Sequence, residues 1–218
     1  MKVLICGSGY SISQVDNWDL STHTVVAVNN AWARVKWDYF CCPADYQNEY
    51  NRDLGFPKNV TPVNLDGPQQ NQNWYDQAAM MVAIARSGDW SRCGQSAMLA
   101  AGYCVTEHFK NSIESIGFIG SDMVYDTDGS TAYYGVGIDF TKRNLSDPDH
   151  MANWERKAQG DKVNTTFNRP WNELSNDEII YHFFTRFSTF VKDKYGIKVY
   201  NYSEQERSRL PYGRKTYV

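Results

Sequence analysis

The sequence lacks the cysteine spacing of a zinc site and of a disulfide framework. Its five cysteines, Cys6, Cys41, Cys42, Cys93 and Cys104, make an odd number, two are adjacent, and none has C-x-x-C spacing. Such usage argues against structural zinc and paired disulfides. Small thiols in apolar runs are typical of buried positions in a reducing compartment. We therefore expect a cytoplasmic protein.

The sequence also has no long hydrophobic run. The apolar stretch near the N-terminus covers only residues 3–6 and follows a single lysine. A signal peptide or a membrane-spanning helix needs a much longer apolar segment. We expect no transmembrane segment, so any role at a membrane would be peripheral.

No excess of positive charge is present. The net charge is −3 and the isoelectric point is about 5.8, which argues against a general nucleic-acid-binding protein. One local basic cluster stands out near the C-terminus, at Arg207, Arg209, Arg214 and Lys215. We interpret it as a solvated tail, and a contact for phosphate or acidic lipid is the alternative.

The composition is typical of a globular chain, with 42% hydrophobic and 22% charged residues. A length of 218 residues predicts one domain over residues 1–218. Apolar runs separated by turn residues alternate with segments of helical periodicity. Strands are predicted over residues 2–6, 24–29, 39–42, 60–65, 113–119 and 197–201, and helices over residues 31–36, 77–86, 94–110 and 177–194.

This alternation predicts an α/β fold of the Rossmann-like type, with a mostly parallel sheet flanked by helices. Residues 126–175 are polar and interrupted by glycine, proline and asparagine. Segments of this kind are often active-site lids. We therefore expect a long polar excursion, resembling a lid, over about residues 126–175.

The first strand runs into a glycine turn, Gly7-Ser8-Gly9, which invites comparison with nucleotide-binding motifs. The dinucleotide fingerprint G-x-G-x-x-G fails, because its third glycine falls on Ile12. Asn29 and Asn30 also stand where that fingerprint expects an acidic residue. No Gly-Lys-Ser/Thr follows either, so the sequence argues against a standard NAD site and against a Walker-type phosphate loop.

A glycine turn at the end of a strand still lets backbone N–H groups approach a phosphate, ribose or base. The amides of Asn29 and Asn30 suit a ribose or a base edge, since they both donate and accept hydrogen bonds. Parallel strands end at one shared edge, so both features should face the same crevice. Alternatively, the glycines only form a tight turn and the asparagines cap a helix.

Four stretches resemble, in this order, the bacterial sialyltransferases of glycosyltransferase family 42. They also resemble related proteins with a 6-hydroxymethylpterin pyrophosphokinase-like domain. The stretches are GSGYS at 7–11, VAVNNAW at 26–32, IESIGFIGSDMVYDTDGSTAYY at 113–134 and YGIKVYN at 195–201. The resemblance implies a Rossmann-like domain that binds a nucleotide-activated donor, a CMP-sugar in the sialyltransferases, without a bound metal.

The resemblance also implies roles for individual residues. Tyr125 with Tyr133 or Tyr134 would hydrogen-bond the departing phosphate, and Asp122 would organise the site. Neutral phenols can stabilise the negative charge that grows on a leaving phosphate. Alternatively, the tyrosines pack in an aromatic loop and Asp122 caps a turn. The full nucleotide-binding set that we predict is Gly7, Ser8, Gly9, Ser11, Asn29, Asn30, Gly94, Gln95, Ser96, Gly120 and Asp122.

The chain departs from the family pattern at three places. Ser8 replaces an asparagine of the family turn, and the sequence Cys-Gly-Gln-Ser at 93–96 replaces a Thr-Ser-Gly motif before the central helix. The latter segment still offers a helix N-terminus suited to an anion. The family's catalytic histidine has no counterpart in residues 174–179.

His150 in the polar excursion is the histidine that we predict as general base, with a structural or exposed role as the alternative. Asp126, Asp128 and Asp139 are rival bases. If these aspartates bind Mg²⁺ instead, a diphosphate transfer from ATP is favoured.

These observations predict a transferase that moves a sugar from a nucleotide-activated donor to an acceptor hydroxyl. A Mg²⁺-dependent diphosphotransferase and a non-catalytic nucleotide-binding module are the alternatives. The expected partners are the donor and a small-molecule or glycan acceptor, with no nucleic acid, and homo-oligomerisation stays open.

Overall fold

A computed structural model describes residues 1–42, 57–68, 70–88, 96–122 and 176–217. The predicted lid-like excursion at 126–175 lies outside these residues. Within the described part of the chain, no helix is both long and apolar enough to cross a bilayer. The four described cysteines, at positions 6, 41, 42 and 104, are buried free thiols.

Seven parallel strands form a single sheet. They are β1 (Lys2–Cys6), β2 (His23–Val28), β3 (Tyr39–Cys41), β4 (Trp74–Tyr75), β5 (Ser115–Ile119), β6 (Lys198–Asn201) and β7 (Gly213–Arg214). Their spatial order is β4-β3-β2-β1-β5-β6-β7.

The chain therefore builds the sheet outward from β1 to β4 and then returns to the other side of β1 with β5. The strand order reverses between β1 and β5, which pair in register from Lys2 with Ser115 to Cys6 with Ile119. In open α/β sheets, ligands bind outside the carboxyl ends of the strands at such a reversal. The predicted Rossmann-like α/β class is confirmed.

In the described parts of the chain, three α-helices cover one face of the sheet, and they are α1 (Gln77–Ser87), α2 (Ala97–Phe109) and α3 (Asn176–Tyr195). Side chains alternate along each strand, so Val3 and Ile5 of β1 pack into the core beneath these helices. Leu4 and Cys6 point to the opposite face. Among the described residues, the 3₁₀ segments Tyr10–Asn17 and Asn29–Ala33 pack on that face together with tryptophan and tyrosine rings.

Local sequence signals explain the ends of α1. The Asp76 side chain accepts a hydrogen bond from the Ala79 N–H at 2.9 Å and so caps the first turn. Gly88 ends the helix in the left-handed region, with φ of 74°. The helix predicted over residues 77–86 is confirmed.

Two predicted elements differ in the structure. The strand expected over residues 60–65 is only an isolated bridge between Pro62 and Trp74. The helix expected over 31–36 is instead the 3₁₀ segment Asn29–Ala33. Both segments are too short for their sequence periodicity to identify the conformation.

The C-terminal basic cluster is solvated as predicted at Arg207, Arg214 and Lys215, which are exposed, but the segment that carries it is not a tail. Leu210 and Tyr212 are buried in the core beneath the helices, and Tyr212 donates a 3.0 Å hydrogen bond to the Phe184 carbonyl. Lys215 N–H donates to the Asn201 carbonyl at 3.0 Å beside β7. The apolar residues that lie between the cations in the sequence therefore pack this segment against the core.

Candidate functional site

The loops that follow β1 and β5 touch each other at the reversal of strand order. Gly7 N–H donates to the Ile119 carbonyl at 2.8 Å, and Gly9 N–H donates to the Gly120 carbonyl at 2.7 Å. We call residues 7–11, 29–30 and 120–122 the strand-end site, since all of them follow the carboxyl ends of β1, β2 or β5.

The glycines of this site allow the two loops to make direct backbone contact. A Cβ atom on Gly7 would lie 2.3 Å from the Gly120 carbonyl oxygen, and one on Gly120 would lie 2.1 Å from the Gly7 carbonyl oxygen. Gly120 also has a left-handed φ of 65°. The structure thus gives these glycines a packing role, consistent with the tight-turn alternative. Their contact with a nucleotide stays a prediction.

Asp122 joins three segments of the chain at the strand-end site. Its side chain is 2% exposed. Oδ2 accepts a hydrogen bond from the Ser11 N–H at 2.8 Å, and Oδ1 accepts one from the Ser203 hydroxyl at 2.5 Å. The carboxylate therefore caps the 3₁₀ segment Tyr10–Asn17 from a distant part of the chain, and it holds the end of β6 against the same point.

The Ser11 side chain completes this arrangement. Its hydroxyl oxygen accepts a 2.9 Å hydrogen bond from the Gly120 N–H, and the residue is buried. The loop of Ser11 therefore donates a hydrogen bond to the Asp122 side chain, and the loop of Asp122 donates one to the Ser11 side chain. The polar groups that these two residues contribute are used to fix the shape of the site.

Asn29 has an unusual conformation at the end of β2. Its φ is 50°, which asparagine tolerates better than most residues. Val28 occupies the cap position of the following 3₁₀ segment, and no side chain caps it, so the helix-capping alternative is wrong for Asn29. Its Oδ1 atom is buried and has no hydrogen-bond partner in the described parts of the chain. Asn30 follows in the same segment and is half-buried.

Ser121 was not among the predicted site residues. Its side chain is 4% exposed, and Oγ makes no hydrogen bond within the described ranges. The sequence signal that could have identified Ser121 is its position between Gly120 and Asp122, just after the end of β5. Buried polar groups are usually paired, and Ser121 Oγ and Asn29 Oδ1 are two exceptions that both lie in the strand-end site.

Ser96 is the one residue of the predicted segment 94–96 that lies in the described ranges, and it stands at the cap position of α2 without a side-chain hydrogen bond to the helix. Among the described residues, no group of three or more histidine, cysteine or acidic side chains is arranged to hold a metal. The predicted residues outside the described ranges are Gly94, Gln95, Tyr125, Tyr133, Tyr134 and His150, together with the rival bases Asp126, Asp128 and Asp139.

Two described histidines have structural contacts elsewhere. His23 begins β2 at the amino end of the sheet, and its Nδ1 lies 3.0 Å from the Thr22 hydroxyl. His108 Nδ1 lies 2.7 Å from the Tyr75 hydroxyl. Burial lowers the pKa of both histidines, and the charges of Lys2 and Lys215 lower that of His23 further.

An open cleft of about 910 Å³ lies at the amino ends of β2 and β3. His23, Tyr39, Thr61 and Asn73 are among the residues that line it. This amino-end cleft is at the opposite edge of the sheet from the strand-end site. The side chains of Asn73 and Asp38 in its wall already accept hydrogen bonds from the backbone.

No family model matches the chain, and no curated protein matches it. Among solved structures, a variant of the sialyltransferase CST-II in complex with CMP is similar at 11% sequence identity and a TM-score of 0.44. The similarity covers 100% of this chain and 87% of that protein. Similarity at this level does not place the chain in a family.

Proposed function

We propose that the protein is a transferase that uses a nucleotide-activated donor, most specifically a sialyltransferase-like glycosyltransferase that moves a sugar to an acceptor hydroxyl. The observation that carries this proposal is the strand-end site itself. Residues quoted for the family resemblance at 7–11, 29–30 and 120–122 come together where the strand order reverses. That is the place where open α/β sheets bind nucleotides.

The nucleotide would lie against the turn at residues 7–11 and the asparagines that end β2. An amide oxygen that is buried without a partner can accept a hydrogen bond from a ribose hydroxyl or an exocyclic amine of the base. Asn29 Oδ1 has this property. Ser8, where the sialyltransferases carry asparagine, is the residue at which donor preference would differ from theirs.

The leaving phosphate would be stabilised by Tyr125 with Tyr133 or Tyr134, and His150 would remove the proton of the acceptor hydroxyl. In this scheme the bond between the donor sugar and the nucleotide phosphate breaks, and a bond to the acceptor oxygen forms. The phenol O–H groups would donate hydrogen bonds to the phosphate as its charge develops. Tyr125 follows Asp122 by three positions in the chain, which is why it is our first choice for this role.

A thermal-shift panel on the full chain tests the proposal. The ligands are CMP, CDP, UDP, GDP and ATP, each with and without Mg²⁺. We expect the cytidine nucleotides to raise the melting temperature without metal. Stabilisation by ATP only with Mg²⁺ would support the diphosphotransferase alternative. No response to any nucleotide would contradict both enzymatic hypotheses.

Substitution of Tyr125 by phenylalanine tests the mechanism. We expect Tyr125→Phe to lower the turnover of CMP release from a CMP-activated sugar by about 100-fold, with the affinity for CMP unchanged. A phenol that acts only on the developing charge affects kcat and not ground-state binding. Tyr181→Phe is the matched control, because Tyr181 is 64% exposed on α3.

Two outcomes would contradict this assignment. An equal loss of CMP affinity and turnover would mean that Tyr125 serves binding alone. Tight binding of CMP by a wild-type chain that releases no CMP from activated sugars would support the non-catalytic module.

A further inference from the structure

The segment after β6 contains two arginines and is hydrogen-bonded to the strand-end site. We call residues 203–210 the basic loop, since it contains Arg207 and Arg209. The Ser203 hydroxyl donates to Asp122 Oδ1 at 2.5 Å, and the Arg209 N–H donates to the Asp122 carbonyl oxygen at 3.0 Å. Both ends of the loop are therefore attached to Asp122, three positions after the end of β5.

The basic loop is also fixed internally. Gln205 N–H donates to the Ser203 hydroxyl at 3.1 Å, and Ser208 N–H donates to the Gln205 carbonyl at 2.9 Å. From β7, the Arg214 guanidinium donates to the carbonyls of Gln205 and Glu206 at 3.1 and 3.0 Å. These hydrogen bonds make the loop a defined part of the site, so the backbone position of Arg209 is set by the fold.

The charge of Asp122 creates a requirement for a cation at this site. An anionic ligand brought close to a buried carboxylate is repelled, and the repulsion is strong where water is excluded. Lys2 and Lys198 begin their strands at the opposite edge of the sheet, so these two cations lie away from Asp122.

Arginine is well suited to meet this requirement. Its planar guanidinium binds phosphate oxygens in pairs and keeps its charge at any physiological pH. Arg209 is half-buried, whereas Arg207 is exposed. A half-buried arginine loses less of its attraction for an anion to solvent screening.

A second and independent observation is the Ser121 hydroxyl. It is buried next to Asp122 and has no hydrogen-bond partner in the described ranges. A hydroxyl can donate to a phosphate oxygen. Ser121 therefore offers an unsatisfied donor next to Asp122, the residue to which the Arg209 backbone is bonded.

We propose that Arg209 and Ser121 form a phosphate-binding site at the carboxyl end of β5 that receives the phosphate of the nucleotide donor. This inference rests on the proposed function, and it assigns a new role to the basic loop. Arg209 supplies the positive charge that allows a phosphate to lie near Asp122, and Ser121 supplies a hydrogen bond.

Isothermal titration of the full chain with CMP, cytidine and inorganic pyrophosphate tests this site. We expect the wild type to bind CMP at least about tenfold more tightly than cytidine, because a charge-assisted bidentate contact adds this much. Arg209→Gln should remove that preference and leave the cytidine affinity unchanged. Ser121→Ala should reduce the preference by a smaller factor, about threefold.

Lys198→Gln is the charge-matched control, since it removes one positive charge at the opposite edge of the sheet, and we expect it to keep the preference for CMP. Because Arg209 contacts Asp122 through its backbone, Arg209→Gln keeps that hydrogen bond. Circular dichroism of each variant checks that the fold is retained. Arg209→Lys, which keeps the charge but loses the paired geometry, should retain part of the preference.

The outcomes separate this inference from the proposed function. An Arg209→Gln protein that still prefers CMP over cytidine overturns the inference while the nucleotide-binding proposal stands. A wild type that binds neither cytidine nor CMP contradicts the proposed function. In that case the binding of pyrophosphate by the wild type and its variants tests the phosphate site by itself. Pyrophosphate binding that is lost in Arg209→Gln but kept in Lys198→Gln supports the site, and any other pyrophosphate result overturns it.

Discussion

At the scale of single residues, two buried polar atoms at the carboxyl edge of the sheet carry the functional argument. Asn29 Oδ1 and Ser121 Oγ have no hydrogen-bond partner among the residues that the structure describes. Each such atom costs the folded state about 1–3 kcal/mol. Groups that lower stability in this way are often kept for a function.

Asn29→Gly separates function from stability at this position. Glycine accepts the left-handed φ of 50° that Asn29 adopts, and it removes the unpaired oxygen. We expect CMP binding to weaken by about tenfold, while the free energy of unfolding stays the same or rises. Titration with CMP and urea denaturation measure the two quantities. A loss of stability without a loss of CMP affinity would assign Asn29 to the fold alone.

Gly120→Ala tests the contact between the loops after β1 and β5. The added Cβ would lie 2.1 Å from the Gly7 carbonyl oxygen at a left-handed φ. We therefore expect the free energy of unfolding to fall by about 3 kcal/mol or more. Gly88→Ala is the matched control, because Gly88 has a similar φ but no atom within 4 Å of its Cβ position. It should lose only about 1 kcal/mol. Equal losses in urea denaturation would mean that backbone strain alone explains both glycines.

At the scale of secondary-structure elements, the packing of α2 against α3 depends on one glycine within a helix. A Cβ on Gly102 of α2 would lie 2.7 Å from the tip of the Phe187 ring of α3. Phe187 is fully buried, and its ring also packs edge-on against Phe118 of β5. This contact sets how closely the two helices lie over the centre of the sheet.

Gly102→Ala should therefore lower stability although alanine favours helix. The gain in helix propensity is about 1 kcal/mol, and overpacking against a fixed ring costs about 1–3 kcal/mol. From the difference of these two effects, we expect the free energy of unfolding measured by urea denaturation to fall by about 1 kcal/mol. Phe187→Leu in the same chain should cancel part of that loss, and additive effects of the two substitutions would contradict the contact.

The strands at the centre of the sheet could be predicted from sequence, because runs such as residues 2–6 and 24–29 are apolar and end at glycine or asparagine. Trp74–Tyr75 and Gly213–Arg214 could not, since strands of two residues are defined by their neighbours and not by periodicity. The same holds at the site. The glycines and Asp122 follow predicted strands, whereas the hydrogen bond from Ser203 to Asp122 joins residues 81 positions apart.

At the scale of the whole molecule, the two edges of the sheet differ in their chemistry. The carboxyl edge contains the strand-end site and the basic loop, and the amino edge contains His23 and the amino-end cleft. His23 contacts Tyr217 near the C-terminus, whose ring stacks on Trp18 at 4.2 Å. The last residues of the chain thus hold the amino edge together.

Stability should fall as the pH decreases from 7 to 5. Burial lowers the pKa of His23 and His108 in the folded state below the ordinary value of 6.5. Below that value the unfolded chain gains protons before the folded chain does, so acid favours unfolding. The urea midpoint should therefore be lower at pH 5 than at pH 7. A chain with both His23→Gln and His108→Gln should show a smaller difference, and an unchanged difference would contradict this cause.

Hydrogen–deuterium exchange with and without CMP tests the central claim, that the carboxyl edge at β1 and β5 holds the nucleotide. Backbone amides that contact a ligand or are stabilised by it exchange more slowly. The account predicts slower exchange in residues 7–12, 29–33 and 119–122, with no change at residues 23–24 and 58–61 along the amino-end cleft. Slower exchange confined to the amino-end cleft, or no change at the carboxyl edge at saturating CMP, would contradict it.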